Sequence, residues 1–137
     1  FLGVCVGMQL LASRGLEGGM RAGLGWIEGE VVPMKPDDSA LKIPHMGWNE
    51  LMFPSANYEQ DNRHFVMRHV GEDAHFYFVH SYEFKPRNVH QTLAFCDYGG
   101  LVAAAVGVDN IIGVQFHPEK SHDVGLNMLA DFLQWKP

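Results

Sequence analysis

Near the start of the chain, Gly3-Val4-Cys5-Val6-Gly7 sets a cysteine between two glycines. Phe1-Leu2 enters as an apolar run, and Met8-Gln9-Leu10-Leu11 leaves with helix-like spacing. The pattern is G-x-nucleophile-x-G, the arrangement of a nucleophile elbow with Cys in place of Ser. A strand turning sharply into a helix leaves no room for side chains two residues either side, which calls for glycine at both places. The turn lifts the thiol out at the carboxyl end of the strand. It also sets Cys5 at a helix N-terminus, where partial positive charge favours thiolate. The backbone N–H of Val6 then faces the oxyanion that forms when Cys5 attacks a carbonyl. The competing reading is a buried, inert cysteine in a glycine-flanked turn.

A cysteine nucleophile needs a base, and the base needs a group to orient it. Ile112-Gly113-Val114-Gln115-Phe116-His117-Pro118-Glu119 offers both. Pro118 biases His117 toward extended geometry and removes a ladder donor. In extended chain, residues two apart point the same way, which puts Glu119 on the side of His117. A carboxylate there can accept the imidazole N–H, fix the tautomer and stabilise the imidazolium, leaving the other nitrogen for Cys5. Against this stands a surface-loop histidine, one of eight in the chain. A metal site built from Cys5, His117 and His122 is a further alternative, but no C-x-x-C or H-x-x-x-H cluster supports it.

Together, Gly3–Leu11 and Gln115-Phe116-His117-Pro118-Glu119-Lys120-Ser121 resemble the two signatures of class I (triad-type) glutamine amidotransferases, in the family's order. Pro44-His45-Met46-Gly47-Trp48-Asn49 and Tyr77-Phe78-Val79-His80-Ser81-Tyr82 are similar to the glutaminase subunits of imidazole glycerol phosphate synthases. The resemblance implies a flavodoxin-like α/β/α fold and hydrolysis of the glutamine side-chain amide. Cys5 would be the nucleophile, His117 the acid and base, Glu119 its orienter, and Val6 an oxyanion donor. Gln9, Ser81 and Tyr82 inherit roles in holding glutamine. The implied partner is a (β/α)8-barrel cyclase in a heterodimer, with Trp48, Asn49 and Lys120 at the seam. The ammonia would serve formation of imidazole glycerol phosphate and AICAR in histidine biosynthesis. No metal and no cofactor are implied. Because residue 1 already lies at the nucleophile strand, residues 1–137 are expected to be the C-terminal part of a longer amidotransferase domain. Its earlier strands and glycine-rich oxyanion loop would lie upstream. The other readings are a class I amidotransferase of guanylate, anthranilate or carbamoyl phosphate synthesis, a cysteine hydrolase of the same fold, and a non-catalytic partner-binding module.

These residues need a sheet to hold them. A strand is expected at Phe1–Val4 and a helix at Val6–Ser13, closed by the glycines at 15, 18 and 19. A twisted strand or hairpin is expected over Gly23–Pro33, a turn-rich link at Lys35–Ser39 and a strand within Lys42–Phe53. Pro54–Asp73 is polar and has no clear assignment beyond a short helix around Phe65, Val66 and Val70. Strands follow at His75–Phe84, Gln91–Asp97, Leu101–Val108 and Ile111–Phe116, with a hairpin turn at Asp109-Asn110. A helix closes the chain near Val124–Trp135, with Asp123 as N-cap and Leu126, Leu129, Phe132 and Leu133 on one face. At 137 residues, 47% hydrophobic and 19% charged, the composition is that of a globular domain rather than a disordered chain. A net charge of −6 with no basic run counts against nucleic-acid binding. Apolar runs such as Leu101–Val106 are too short to span a bilayer, and no signal-peptide pattern is read. Two cysteines suit a reducing cytoplasm, with Cys96 a core position near a strand end.

Overall fold

The computed structural model describes residues 1–54, 63–71 and 73–137. In chain order its elements are β1 (Leu2–Val4), α1 (Val6–Gln9), β2 (Arg14–Gly15), β3 (Arg21–Ala22), β4 (Gly29–Pro33) and β5 (His45–Glu50). There follow β6 (His75–His80), β7 (Tyr82–Pro86), β8 (Thr92–Asp97), β9 (Leu101–Val108), β10 (Ile111–Val114) and α2 (His122–Gln134). Single 3-10 turns lie at Phe65–Met67, Val89–Gln91 and Pro118–Lys120.

The strands form three sheets, β1-β10-β9-β8, β3-β2-β4-β7 and β5-β6. In the first, β1 runs parallel to β10, with Leu2 opposite Ile112 and Val4 opposite Val114. The Cys5 N–H extends that ladder to the Val114 carbonyl at 2.8 Å. Two parallel strands therefore end side by side, bringing Cys5 and the segment after Val114 to one end of the sheet. Central strand β9 sends Val102 and Ala104 into one apolar cluster and Ala103 and Val106 into the other. Both sheet faces are covered, which is why Leu101–Val108 reads as a continuous apolar run.

Several expectations are corrected. α1 stops at Gln9 rather than Ser13. A tightened turn takes over there, with Leu11 and Ala12 donating to carbonyls three residues back. The carbonyls of Leu10, Leu11 and Ala12 then accept from Leu24, Ile27 and Gly25, so the next loop takes the bonds a helix would use. The aromatic run His75–Phe84 is two strands, broken at Ser81 and entering different sheets. The polar segment 14–22 holds a short hairpin, β2–β3, that its composition does not announce. In α2 the buried face carries Gly125, Met128 and Asp131, whereas Leu126 and Leu133 are 55% and 83% exposed. Asp131 is buried because Arg68 and His69 both bind its carboxylate at 2.9 Å, tying α2 to the Phe65–Met67 turn. Asp123 lies in the first turn of α2 and Ser121 takes the cap position, without a side-chain capping bond. The expected helix around Phe65 is that 3-10 turn; residues 55–62 and 72 of the unassigned stretch lie outside the described residues.

Candidate active site

Cys5 sits at the hinge between β1 and α1 with φ 52° and ψ −110°. A non-glycine residue in such a conformation costs about 1–3 kcal/mol and persists where its surroundings impose it. Gly3 is required by close approach: a Cβ there would lie 2.5 Å from the Gly7 carbonyl oxygen. The expectation of equal crowding at Gly7 is wrong, since a Cβ there meets nothing within 4 Å. The turn is tight on its strand side and open on its helix side.

Cys5 is a free thiol whose hydrogen reaches toward the Val79 carbonyl, 3.9 Å away. The expected bias toward thiolate is overturned: burial pushes the thiol above its ordinary value. The Val6 N–H opposes this, the Glu119 carboxylate reinforces it, and the Gln115 amide and Lys120 ammonium oppose it more weakly. A four-residue helix has little dipole to set against desolvation. The Val6 N–H is close enough to act on the sulfur. Cys96 is fully buried, as expected of a core position, and is pushed up to about 12.

His117 and Glu119 meet as expected, Nδ1 to Oε1 at 2.6 Å, but by a different route. Only His117 is extended; Pro118–Lys120 is a 3-10 turn that brings the carboxylate back to the ring Nδ1. A ring of bonds fixes that turn. The His117 N–H donates to the Tyr77 carbonyl (2.9 Å), the Tyr77 N–H to Ser121 Oγ (3.0 Å), and the Ser121 hydroxyl to the His117 carbonyl (2.6 Å).

Gln115, fully buried at the end of β10, has a role that the motif alone does not assign. Its Nε2 lies 3.7 Å from Cys5 Sγ, and its Oε1 accepts from Gln9 Nε2 at 3.0 Å. Gln9 Nε2 also donates to the Tyr82 carbonyl at 3.2 Å, so the expected helix-face neighbour of Cys5 does point into the site. A polar residue closing an otherwise apolar strand was the available signal for Gln115. Ser81 is the break between β6 and β7 and Tyr82 opens β7; the Ser81 carbonyl accepts from Met34, and the Tyr82 side chain is half-buried against the second core cluster.

Trp48 is 46% exposed, which removes the core reading; its ring stacks flat on His122 at 4.8 Å and meets Tyr77 edge-on. Lys120 is exposed at the rim, close enough to act on the Cys5 charge. Asn49 alternates to the opposite face of β5 from Trp48. Its amide donates to the Asp97 carbonyl at 2.8 Å and contacts His45 at 3.3 Å. His122 lies on Trp48 rather than joining Cys5 and His117 as a metal ligand.

Behind the site, His45 and His80 are buried together, Nδ1 to Nε2 at 3.0 Å. Burial, with His80 alongside, holds His45 down to about 4, and burial lowers His80 as well. The fold needs both neutral, whereas an unfolded histidine takes up its proton near 6.5. The stabilisation is complete above about pH 6.5 and drains as pH falls toward the folded value. For His45 the full loss is on the order of 3 kcal/mol. The thermal midpoint should therefore fall between pH 6.5 and 4, and His45→Phe should flatten that slope. A midpoint with the same pH slope in both proteins would contradict this.

No helix is long and apolar enough to cross a membrane among the described residues. Residues 1–135 match the family model for class I glutamine amidotransferases. Over all 137 residues the chain is 50% identical to the HisH component of imidazole glycerol phosphate synthase from Rhodospirillum rubrum, covering 61% of that protein. It is 52% identical to the HisH component from Zymomonas mobilis, again over the whole chain and covering 60% of that protein. The chain thus spans about 60% of the length of these curated relatives. The crystal structure of a putative GMP synthase component from Thermoplasma acidophilum matches 97% of this chain and 55% of its own, with TM-score 0.62 and 18% identity. That likeness carries the fold, a flavodoxin-like α/β arrangement of mixed sheets and few helices. With an elbow cysteine, a His–Glu pair beside it and a family model matching nearly its full length, the chain belongs to the class I glutamine amidotransferases.

Proposed function

We propose that residues 1–137 form the triad-bearing part of an imidazole glycerol phosphate synthase glutaminase subunit, which supplies ammonia to a (β/α)8-barrel cyclase. The carrying observation is the juxtaposition of Cys5 with His117–Glu119 at the ends of two parallel strands. The HisH relatives support the choice of pathway.

The chemistry follows from the thiol being protonated at rest. Cys5 gives its proton to His117 as sulfur attacks the carboxamide carbon of glutamine. The oxyanion is met by the Val6 N–H, and Glu119 holds the imidazolium. His117 then passes the proton to the departing ammonia, leaving a glutamyl thioester. Water, deprotonated by His117, hydrolyses the thioester to glutamate and frees Cys5. Gln9, Ser81 and Tyr82 are assigned to holding the substrate.

Ammonia leaking to solvent is lost to protonation, so the site should face the subunit that consumes it. Trp48 and Lys120 are exposed on that side, and they are assigned to the cyclase interface. In a protein of the relatives' full length, a chloroketone shaped like glutamine should alkylate Cys5 and spare Cys96. Trp48→Ala should separate glutamine hydrolysis from cyclase product formation with little change in thermal midpoint. Labelling at Cys96 first, or a Cys5→Ala protein that still hydrolyses glutamine, would rule out the glutaminase. Tight coupling retained in Trp48→Ala would remove that residue from the interface.

A further inference from the structure

The buried histidine pair belongs to a longer chain of hydrogen bonds that ends at the nucleophile. Its polarity is set at both ends by groups with one possible role. The Tyr82 carbonyl can only accept, so His80 Nδ1, 2.8 Å away, carries a proton. A neutral His80 then has a bare Nε2, which must accept from His45 Nδ1. That leaves His45 Nε2 as an acceptor, and Asn49 Nδ2 is the donor facing it at 3.3 Å. The Asn49 amide cannot be reversed, because its Oδ1 accepts from the Glu50 N–H at 2.9 Å while its Nδ2 donates to the Asp97 carbonyl. Every partner agrees on one arrangement: both rings neutral, both protonated on Nδ1. The His45 ring is stacked between Phe78 at 4.7 Å and Tyr98 at 4.0 Å, which fixes its plane.

At the other end, the Tyr82 carbonyl accepts both from His80 and from Gln9 Nε2. The second N–H of Gln9 goes to Gln115 Oε1, and Gln115 Nε2 faces Cys5 Sγ. With both amide hydrogens committed, the Gln9 carboxamide is held in one orientation. We propose that His45 and His80 are positioning residues of the glutaminase site: as neutral, Nδ1-protonated rings they hold the Tyr82 carbonyl and thereby the Gln9 carboxamide beside Cys5. Neither histidine touches a reacting atom. The inference rests on the glutaminase reading and extends it to a facing pair of residues on β5 and β6. The lowered proton affinity of both rings agrees with it.

Two measurements on a protein of the relatives' full length test it. Histidine ring nitrogen NMR on the unsubstituted protein near neutral pH should show His45 and His80 protonated on Nδ1, the minor form of free histidine. A proton on Nε2 of His80 overturns the proposal without any substitution. Second, the rate of Cys5 alkylation by a glutamine-shaped chloroketone is compared with that by iodoacetamide, which makes no use of Gln9. His45→Phe keeps the stacked ring and removes the donor to His80. It should slow the chloroketone about tenfold and leave iodoacetamide unchanged. His80→Asn returns a donor near the position of Nδ1 and should keep most of the preference, whereas His80→Leu should lose it. Equal slowing by both reagents, or a preference retained in His45→Phe and His80→Leu, overturns the positioning role. If the unsubstituted protein shows no preference for the glutamine-shaped reagent, the glutaminase reading itself fails and takes this proposal with it.

Discussion

Replacing His117 by alanine is expected to lower glutamine turnover by about four orders of magnitude or more, the usual scale for loss of a triad base. The size follows from the state of Cys5. Were the thiol already ionised by a helix dipole, the base would matter mainly for protonating the leaving group. Instead, burial and Glu119 hold the proton on sulfur, so attack and proton transfer both need His117. In this structure the imidazole binds Glu119 and makes no hydrogen bond to Cys5; such contacts commonly tighten when substrate arrives. Glu119→Gln should cost less, because two effects oppose. The ring loses its carboxylate and the imidazolium its stabilisation, but the thiol loses a neighbouring negative charge and ionises more easily. Steady-state glutamine hydrolysis with the cyclase present measures both. A loss smaller than about tenfold for His117→Ala would mean that another group takes the Cys5 proton.

The chemistry was more legible in the sequence than the scaffold holding it. Cys5, His117 and Glu119 stand in short motifs whose spacing reflects local geometry, and local geometry survives in sequence. Gln115 sits within one of those motifs, yet its role depends on β1 pairing with β10 across more than a hundred residues. His45 and His80 behave alike: each reads as one more histidine until β5 and β6 pair in register with His45 opposite His80. The thiolate expectation failed for a related reason. It weighed the helix end, which is local, and not the burial, which comes from β6 and β10. The α2 face read from Leu126, Leu129, Phe132 and Leu133 is not the buried one, which carries Asp131. Its carboxylate is buried under Arg68 and His69, and an ion pair formed across the fold leaves no periodic trace.

Gly125→Ala should both destabilise the protein and damage catalysis, although the residue lies on a helix and far in sequence from Cys5. Two effects compete. Within α2, alanine is favoured over glycine by about 1 kcal/mol. Against that, a Cβ at this position would collide with the Pro118 carbonyl oxygen and approach Ser121 Cβ at 2.9 Å. Neither group can easily retreat. The Pro118 carbonyl accepts from the Ser121 N–H at 3.1 Å, and the Gly125 N–H itself donates to the Ser121 carbonyl at 3.1 Å. Overpacking of this kind typically costs about 1–3 kcal/mol, enough to outweigh the helix gain. The strain falls on the Pro118–Lys120 turn, which carries Glu119 and is bonded to His117 through Ser121. A shift of about 1 Å in a catalytic group can cost roughly 10²-fold in rate. The expected result is a lower melting midpoint together with a fall in kcat of about two orders of magnitude, with the KM for glutamine nearly unchanged. Gly71→Ala, at an exposed loop position where a Cβ meets nothing within 4 Å, is the uncrowded control. If Gly125→Ala raised the midpoint, helix propensity would have won, and α2 would be free to slide away from the triad turn rather than hold it.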